Sequence, residues 1–151
     1  MPGKYFDEWK VEEEYTTPSR TLTETDVVMF AAMSGDYNEL HTSETFGQNT
    51  PFGRRIGHGL LGLAVSHGLL FRTGLLEGTA IAFLGIDSWK FEAPFFFGDT
   101  IQVKVKVVEK RASQTKPDRG IVKLSVQVIN QNGTIIQSGF NTLMIRRNQV
   151  S

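Results

Sequence analysis

The run from Gly59 through Leu60, Leu61, Leu63, Ala64, Val65, Leu69 and Leu70 to Phe71 limits what this chain can become more than any other stretch. On a helical wheel its apolar residues cover every side instead of one stripe, so a helix here has to be wrapped by other structure. Thirteen residues give about 20 Å of helix, close to the width of four or five paired strands. The run contains His67 and falls short of the roughly 20 residues that a bilayer span needs. Arg72 and Gly74 suit its C-terminal end.

What would wrap it lies downstream. Ala82 to Phe91 reads as a strand, and Pro94-Phe95-Phe96-Phe97-Gly98-Asp99 as a turn-bounded aromatic corner. Thr100 to Glu109 alternates, with Ile101, Val103, Val105 and Val107 on one face and Gln102, Lys104 and Lys106 on the other. Pro117 to Gly120 is a turn, Ile121 to Ile129 alternates again, Asn132-Gly133 is the strongest hairpin signal, and Thr134 to Ile145 is the last strand. Tyr15 to Arg20, broken by Pro18, suits a first or edge strand. Successive hairpins after one buried helix predict an α+β layout, an antiparallel sheet curled around that helix. Such a sheet leaves an edge open, and a second copy would cover it, so a homodimer or dimer-based oligomer is expected. The length, 151 residues, suits one domain over residues 1–151.

Upstream, Thr23 and Asp26 form a variant of the capping box, and Val27, Phe30, Ala31 and Ser34 share one helix face that Gly35 ends. From Asp36 to Gly59 the sequence reads as irregular, with a short helix over Ser43 to Gln48 that Ser43 would cap. Connections this long are uncommon in compact domains unless they are functional or disordered, and this one is too rich in aromatic and aliphatic residues for plain linker.

That connection carries the candidate chemistry. Asp36 and His41 can orient a water and share its proton, because the carboxylate accepts hydrogen bonds and imidazole changes charge near neutral pH. On spacing alone the commoner arrangement is simpler: Asp36 and Asn38 shape a turn, and His41 is a buried histidine satisfied by backbone. At His58-Gly59, the Gly59 N–H would be an unpaired donor at the start of the buried helix, open to a ligand carbonyl and backed by the helix dipole. A glycine that only permits a tight entry to the helix is the equal alternative.

Other chemistries fall away. His41, His58 and His67 lack metal-binding spacing, so neither a metal nor a cofactor is expected. Ser34 and Ser66 lack a G-x-S-x-G context. Gly57 to Gly62 formally matches G-x-G-x-x-G, but no strand of a βαβ unit precedes it. Sixteen basic and 16 acidic residues cancel, leaving no net field for nucleic acid or an anionic membrane. Without cysteine there is no disulfide or thiolate site. No apolar stretch follows Lys4, so a secretory leader is not expected and a cytoplasmic location is. Lys104 and Lys106 read as a solvated strand face, whereas Arg54 and Arg55 flank the functional loop and are candidates for substrate phosphate or carboxylate.

Taken together, Phe30 to His41, with its S-G-D-x-N-x-x-H pattern, Pro51-Phe52-Gly53 and Ile56-Gly57-His58-Gly59-Leu60-Leu61 closely resemble the hydratase motif of MaoC-like dehydratases, the (R)-specific enoyl-CoA hydratases. Phe91 to Pro94 and Gly98 to Ile101 also resemble that family, and the similarity runs from Thr21 to Arg146. The resemblance implies a hot-dog fold, usually dimeric, and reversible addition of water to the trans-2-enoyl thioester of an acyl-CoA, giving a (3R)-hydroxyacyl product. It assigns Asp36 and His41 to hold and activate the water and deliver a proton to the α carbon, and Gly59, with Asn38 and His58 beside it, to oxyanion or substrate binding. Glu39 stands where the family usually has proline, and His67, beside Ser66, where a small hydroxyl residue is common. A hot-dog acyl-CoA thioesterase and a non-catalytic acyl-CoA-binding module are the competing functions.

Overall fold

The computed structural model describes residues 3–149, so Met1, Pro2, Val150 and Ser151 of the unit read over 1–151 lie outside the described residues. Among the described residues four α-helices precede the long strands: α1 (Glu24–Ser34), α2 (Glu39–Thr42), α3 (Glu44–Gln48) and α4 (Gly59–Phe71). Strands β1 (Glu14–Thr16) and β2 (Arg20–Thr21) flank Pro18 as a broken edge, and β3 (Ala80–Phe91), β4 (Thr100–Ala112), β5 (Arg119–Ile129) and β6 (Ile135–Arg146) follow α4. The antiparallel order is β1-β4-β5-β6-β3, with β2 also on β4. β1 and β3 are therefore the two edges.

Alternation drives the packing. Ile101, Val103, Val105 and Val107 of β4, Val122, Leu124, Val126 and Val128 of β5 and Leu143 and Ile145 of β6 are almost fully buried, and they form one cluster with Leu61, Val65, Leu69 and Leu70 of α4. Gly133 takes the left-handed φ of 77° that the β5–β6 turn needs.

Local signals set the ends of α1. The Thr23 hydroxyl accepts from the Asp26 N–H and the Asp26 carboxylate from the Thr23 N–H, while Gly35 ends the helix at φ 78°. Two expectations need revision. The segment after Asp36 is not wholly irregular, because Asn38 caps the extra helix α2 through its side-chain oxygen and the Leu40 N–H. Nor is α4 wrapped on every side by its own chain: Leu60 is 60% and Phe71 54% exposed, and Ala64 and Gly68 between them complete an open stripe.

Candidate active site

A relay of short side chains builds the entrance to the site. The Ser34 hydroxyl accepts from the Asp36 N–H at 3.1 Å, Asp36 Oδ1 from the Asn38 N–H at 3.2 Å, and Asn38 Oδ1 from the Leu40 N–H at 3.0 Å. Each polar side chain closes a turn two residues ahead of itself, which is why small hydroxyl, carboxylate and amide groups alternate here. Shaping the turn and carrying chemistry are thus compatible roles for Asp36, since Oδ2 stays free.

The next layer fixes two imidazoles. His41, buried on α2, places Nδ1 2.7 Å from the Ile56 carbonyl oxygen. A carbonyl only accepts, so Nδ1 carries the proton and Nε2 keeps a basic lone pair. The Ile56 N–H returns a bond to the Leu40 carbonyl, tying α2 to the segment before α4 at two points. His58 donates from Nε2 to the Asp36 backbone carbonyl at 2.9 Å and stacks on His41 with ring centroids 3.9 Å apart. At 2% exposure it lies behind the pair, a buttress facing Asp36 and His41 and not a surface offered to substrate.

The Asp36 carboxylate and one ring nitrogen of each histidine lie within 4.8 Å of one another, a span that one water bridges with two ordinary hydrogen bonds. This is the one group among the described residues with three such ligands close together, and linear spacing gave no hint of it. A carboxylate and two ring nitrogens could hold a divalent ion. Backbone bonds to the Ile56 and Asp36 carbonyls fix the two rings beside the carboxylate.

α4 starts where expected. Its N-cap His58 makes no side-chain capping bond, and the Gly59 N–H meets no acceptor among the described residues. An apolar groove of about 710 Å³ opens at this point, lined by Phe52, Ile56, Gly59, Leu60, Phe91 and Gln137 among others. It adjoins Asp36 and His41 through Ile56, which lines the groove and whose carbonyl holds His41, and its size falls within the range of small-molecule sites. A second cavity of about 570 Å³, lined in part by Asp118, Arg119, Arg146 and Arg147, lies at the opposite end of β3 and β6.

The remaining candidates separate. Arg55 gives Nε to Glu44 and a terminal nitrogen to Glu24, each at 2.8 Å, and so clamps α1 to α3 instead of presenting a free charge. Arg54 is exposed and stacks 3.6 Å over the Phe96 ring. Ser66 is turned inward, back-bonded to the Leu63 carbonyl, and His67 packs against Phe83 of β3. Two residues escaped the sequence reading, Gln137 and Trp89. The signal for the first was a long polar side chain beside Ile135-Ile136 at a strand position that proves 2% exposed.

The glycines of the formal G-x-G-x-x-G match serve close packing and not phosphate. A Cβ at Gly57 would fall within the Phe95 ring, at Gly59 it would lie 2.7 Å from the Phe91 ring, and at Gly62 it would overlap the Gln137 amide.

Burial pushes both His58 and His67 below the usual histidine value of about 6.5. For His58 the Asp36 carbonyl opposes this and neighbouring His41 adds to it. The folded chain then holds these rings neutral at a pH where the unfolded chain protonates them. Their contribution to stability is complete above about pH 6.5 and is lost as pH falls toward and through the depressed folded values. Melting temperature is expected to stay level from pH 8 to 7 and to decline below about 6.5, less steeply in His67→Gln. A flat profile down to pH 5 would show that neither ring is held neutral.

Comparisons agree with this architecture. A model of the MaoC like domain matches residues 8–130. Protein MaoC of Klebsiella aerogenes is 36% identical over 107 residues, covering 71% of this chain but only 31% of that protein. The (R)-specific enoyl-CoA hydratase of Aeromonas caviae is 33% identical over 121 residues, 80% of this chain and 84% of the enzyme. Among solved structures, a monoamine oxidase regulatory protein from Archaeoglobus fulgius superposes with a TM-score of 0.90 at 32% identity over 99% of this chain and 98% of its own. A Mycobacterium tuberculosis protein with a double hot-dog fold aligns with a TM-score of 0.83 at 19% identity, over 99% of this chain and 46% of its own. That likeness bears on fold alone: the sheet wrapped on α4 is a hot-dog fold.

Proposed function

The chain belongs to the MaoC-like domain family, and from that membership we propose that it is a hydro-lyase, an (R)-specific enoyl-CoA hydratase built as one hot-dog domain over residues 1–151. It adds water reversibly to a trans-2-enoyl thioester to give the (3R)-hydroxyacyl thioester. The observation that carries this reading is the convergence of Asp36 with His41, whose Nδ1 is bound by a backbone carbonyl, beside the free Gly59 amide at the start of α4.

The chemistry follows from those positions. Asp36 accepts a hydrogen bond from one O–H of a water, whose proton stays on the oxygen, and His41 Nε2 takes the other proton as that oxygen attacks the β carbon. Negative charge moves to the thioester oxygen, where the Gly59 N–H and the positive end of α4 stabilise it. The proton on His41 then passes to the α carbon, so one water has been added and the base is restored. The groove beside Gly59 takes the apolar part of the substrate, with Arg54 better placed than Arg55 for its phosphates or carboxylate. Asn38, its oxygen used as a cap, has an amide NH2 left for substrate.

Incubation with crotonyl-CoA tests the reading. Loss of enoyl absorbance without free thiol is expected; thiol release would mean a thioesterase, and binding without either change a non-catalytic module.

The active form is a homodimer in a cytoplasmic setting. Among the described residues no helix is long and apolar enough to cross a membrane. Strand β3 is an edge with Ile81, Phe83, Leu84 and Ile86 all more than a third exposed, alongside the uncovered stripe of α4. A second copy would bury both. A Cβ at Gly68 meets nothing within 4 Å in the single chain, so a larger residue there is harmless to the fold but obstructs a partner helix. Sedimentation is expected to give twice the chain mass for the natural protein and a monomer for Gly68→Gln; a monomeric natural protein sinks the dimer.

A further inference from the structure

We propose that Gln137 is a positioning residue that aims the Gly59 amide at the substrate carbonyl; this rests on the hydratase reading of Gly59 and adds the element that holds it. The side chain is 2% exposed and satisfied at both ends. Its Nε2 donates to the Gly59 carbonyl at 2.9 Å, and its Oε1 accepts from the Trp89 indole N–H at 3.2 Å. Space has been cleared on both sides. A side chain at Gly62 would collide with the Gln137 amide, and a Cβ at Gly139 would lie 2.5 Å from the Trp89 ring.

A buried amide is a costly filler, because it loses water and regains only what its new partners supply. Leucine or methionine would occupy the same volume without that cost. What the amide adds is direction, and its target is informative. An ordinary helix start is held by a Ser, Thr, Asp or Asn cap that accepts from the first free N–H groups. Such a cap on α4 would bring a second acceptor to the helix mouth where a substrate carbonyl is to sit, and His58 supplies none. Gln137 holds the first turn by its carbonyl side instead, so the turn is pinned to β6 while the Gly59 N–H stays unoccupied. Trp89, on β3, fixes the orientation of the amide and leaves its NH2 facing α4.

The test uses a carbonyl-sensitive chromophore, 2,4-hexadienoyl-CoA, bound to Asp36→Asn protein and read before the slowed turnover of that variant consumes it. Polarisation of the carbonyl shifts its absorption to longer wavelength. The shift is expected in Asp36→Asn and to fall by half or more in Asp36→Asn/Gln137→Leu, with Kd changed by less than threefold. With Asp36 intact, Gln137→Leu is expected to lower kcat on crotonyl-CoA by about 10- to 100-fold while KM and the pH profile hold. Should Gln137→Leu fail to fold, Gln137→Met keeps the length of the side chain but loses the donor to Gly59, and the same loss of shift is expected. An undiminished shift in the Gln137 variants overturns the proposal, even if stability falls. No shift in Asp36→Asn itself removes the Gly59 reading and this inference with it.

Discussion

Asp36→Asn is expected to lower kcat on crotonyl-CoA by about 10³-fold, and His41→Ala by a similar factor, in proteins that remain folded. The asparagine variant is the cleaner of the two. Asp36 is exposed, and its fold contribution is the bond from the Asn38 N–H to Oδ1, which an asparagine oxygen accepts equally well. What disappears is the charge and one acceptor facing the water. Melting temperature is therefore expected to hold within a degree or two while turnover collapses. His41→Ala costs more in structure, since it vacates a buried site, strips the Ile56 carbonyl of its partner and removes the ring stacked on His58. Both variants should still bind an acyl-CoA. If the two act on one water as a unit, the double variant loses little beyond either single one. Near-normal turnover in Asp36→Asn would leave the protein its fold and a different function.

The parts of this molecule that could be read in advance are those set by local periodicity. The alternation of β4 and β5, the caps of α1 at Thr23 and Gly35, and the span of α4 each depend on residues close in sequence. α2 was hidden because its cap, Asn38, reads equally well as a turn residue. The site was legible as a motif but not as an arrangement. That His58 would reach back 22 residues to the Asp36 carbonyl, or that Gln137 would grip Gly59 from 78 residues away, is decided by tertiary packing. The open stripe on α4 is a different kind of miss. Hydrophobicity on all sides states that every face is covered, and does not state by which chain.

Gly57→Ala is expected to damage stability and turnover together, and Phe95→Leu to restore part of both. The φ of Gly57 is not in the left-handed region, so alanine is barred there by space and not by backbone conformation. Its methyl group would enter the Phe95 ring, which is 2% exposed and has nowhere to retreat. Overpacking of this kind costs about 1–3 kcal/mol, which for a chain of this size lowers the melting temperature by about 2–12 °C. The strain is relieved most easily by displacing the Ile56–His58 segment, and that segment holds His41 by one carbonyl and Asp36 through the His58 ring. Turnover should accordingly fall at temperatures where the variant is fully folded. Phe95→Leu withdraws the ring atoms that the new methyl group would strike, at the cost of a smaller cavity elsewhere. The double variant should then be more stable and more active than the sum of the single effects allows. Strict additivity, or a Gly57→Ala protein that melts with the natural one, would mean that this contact does not set the distance between the α4 amide and the Asp36–His41 pair.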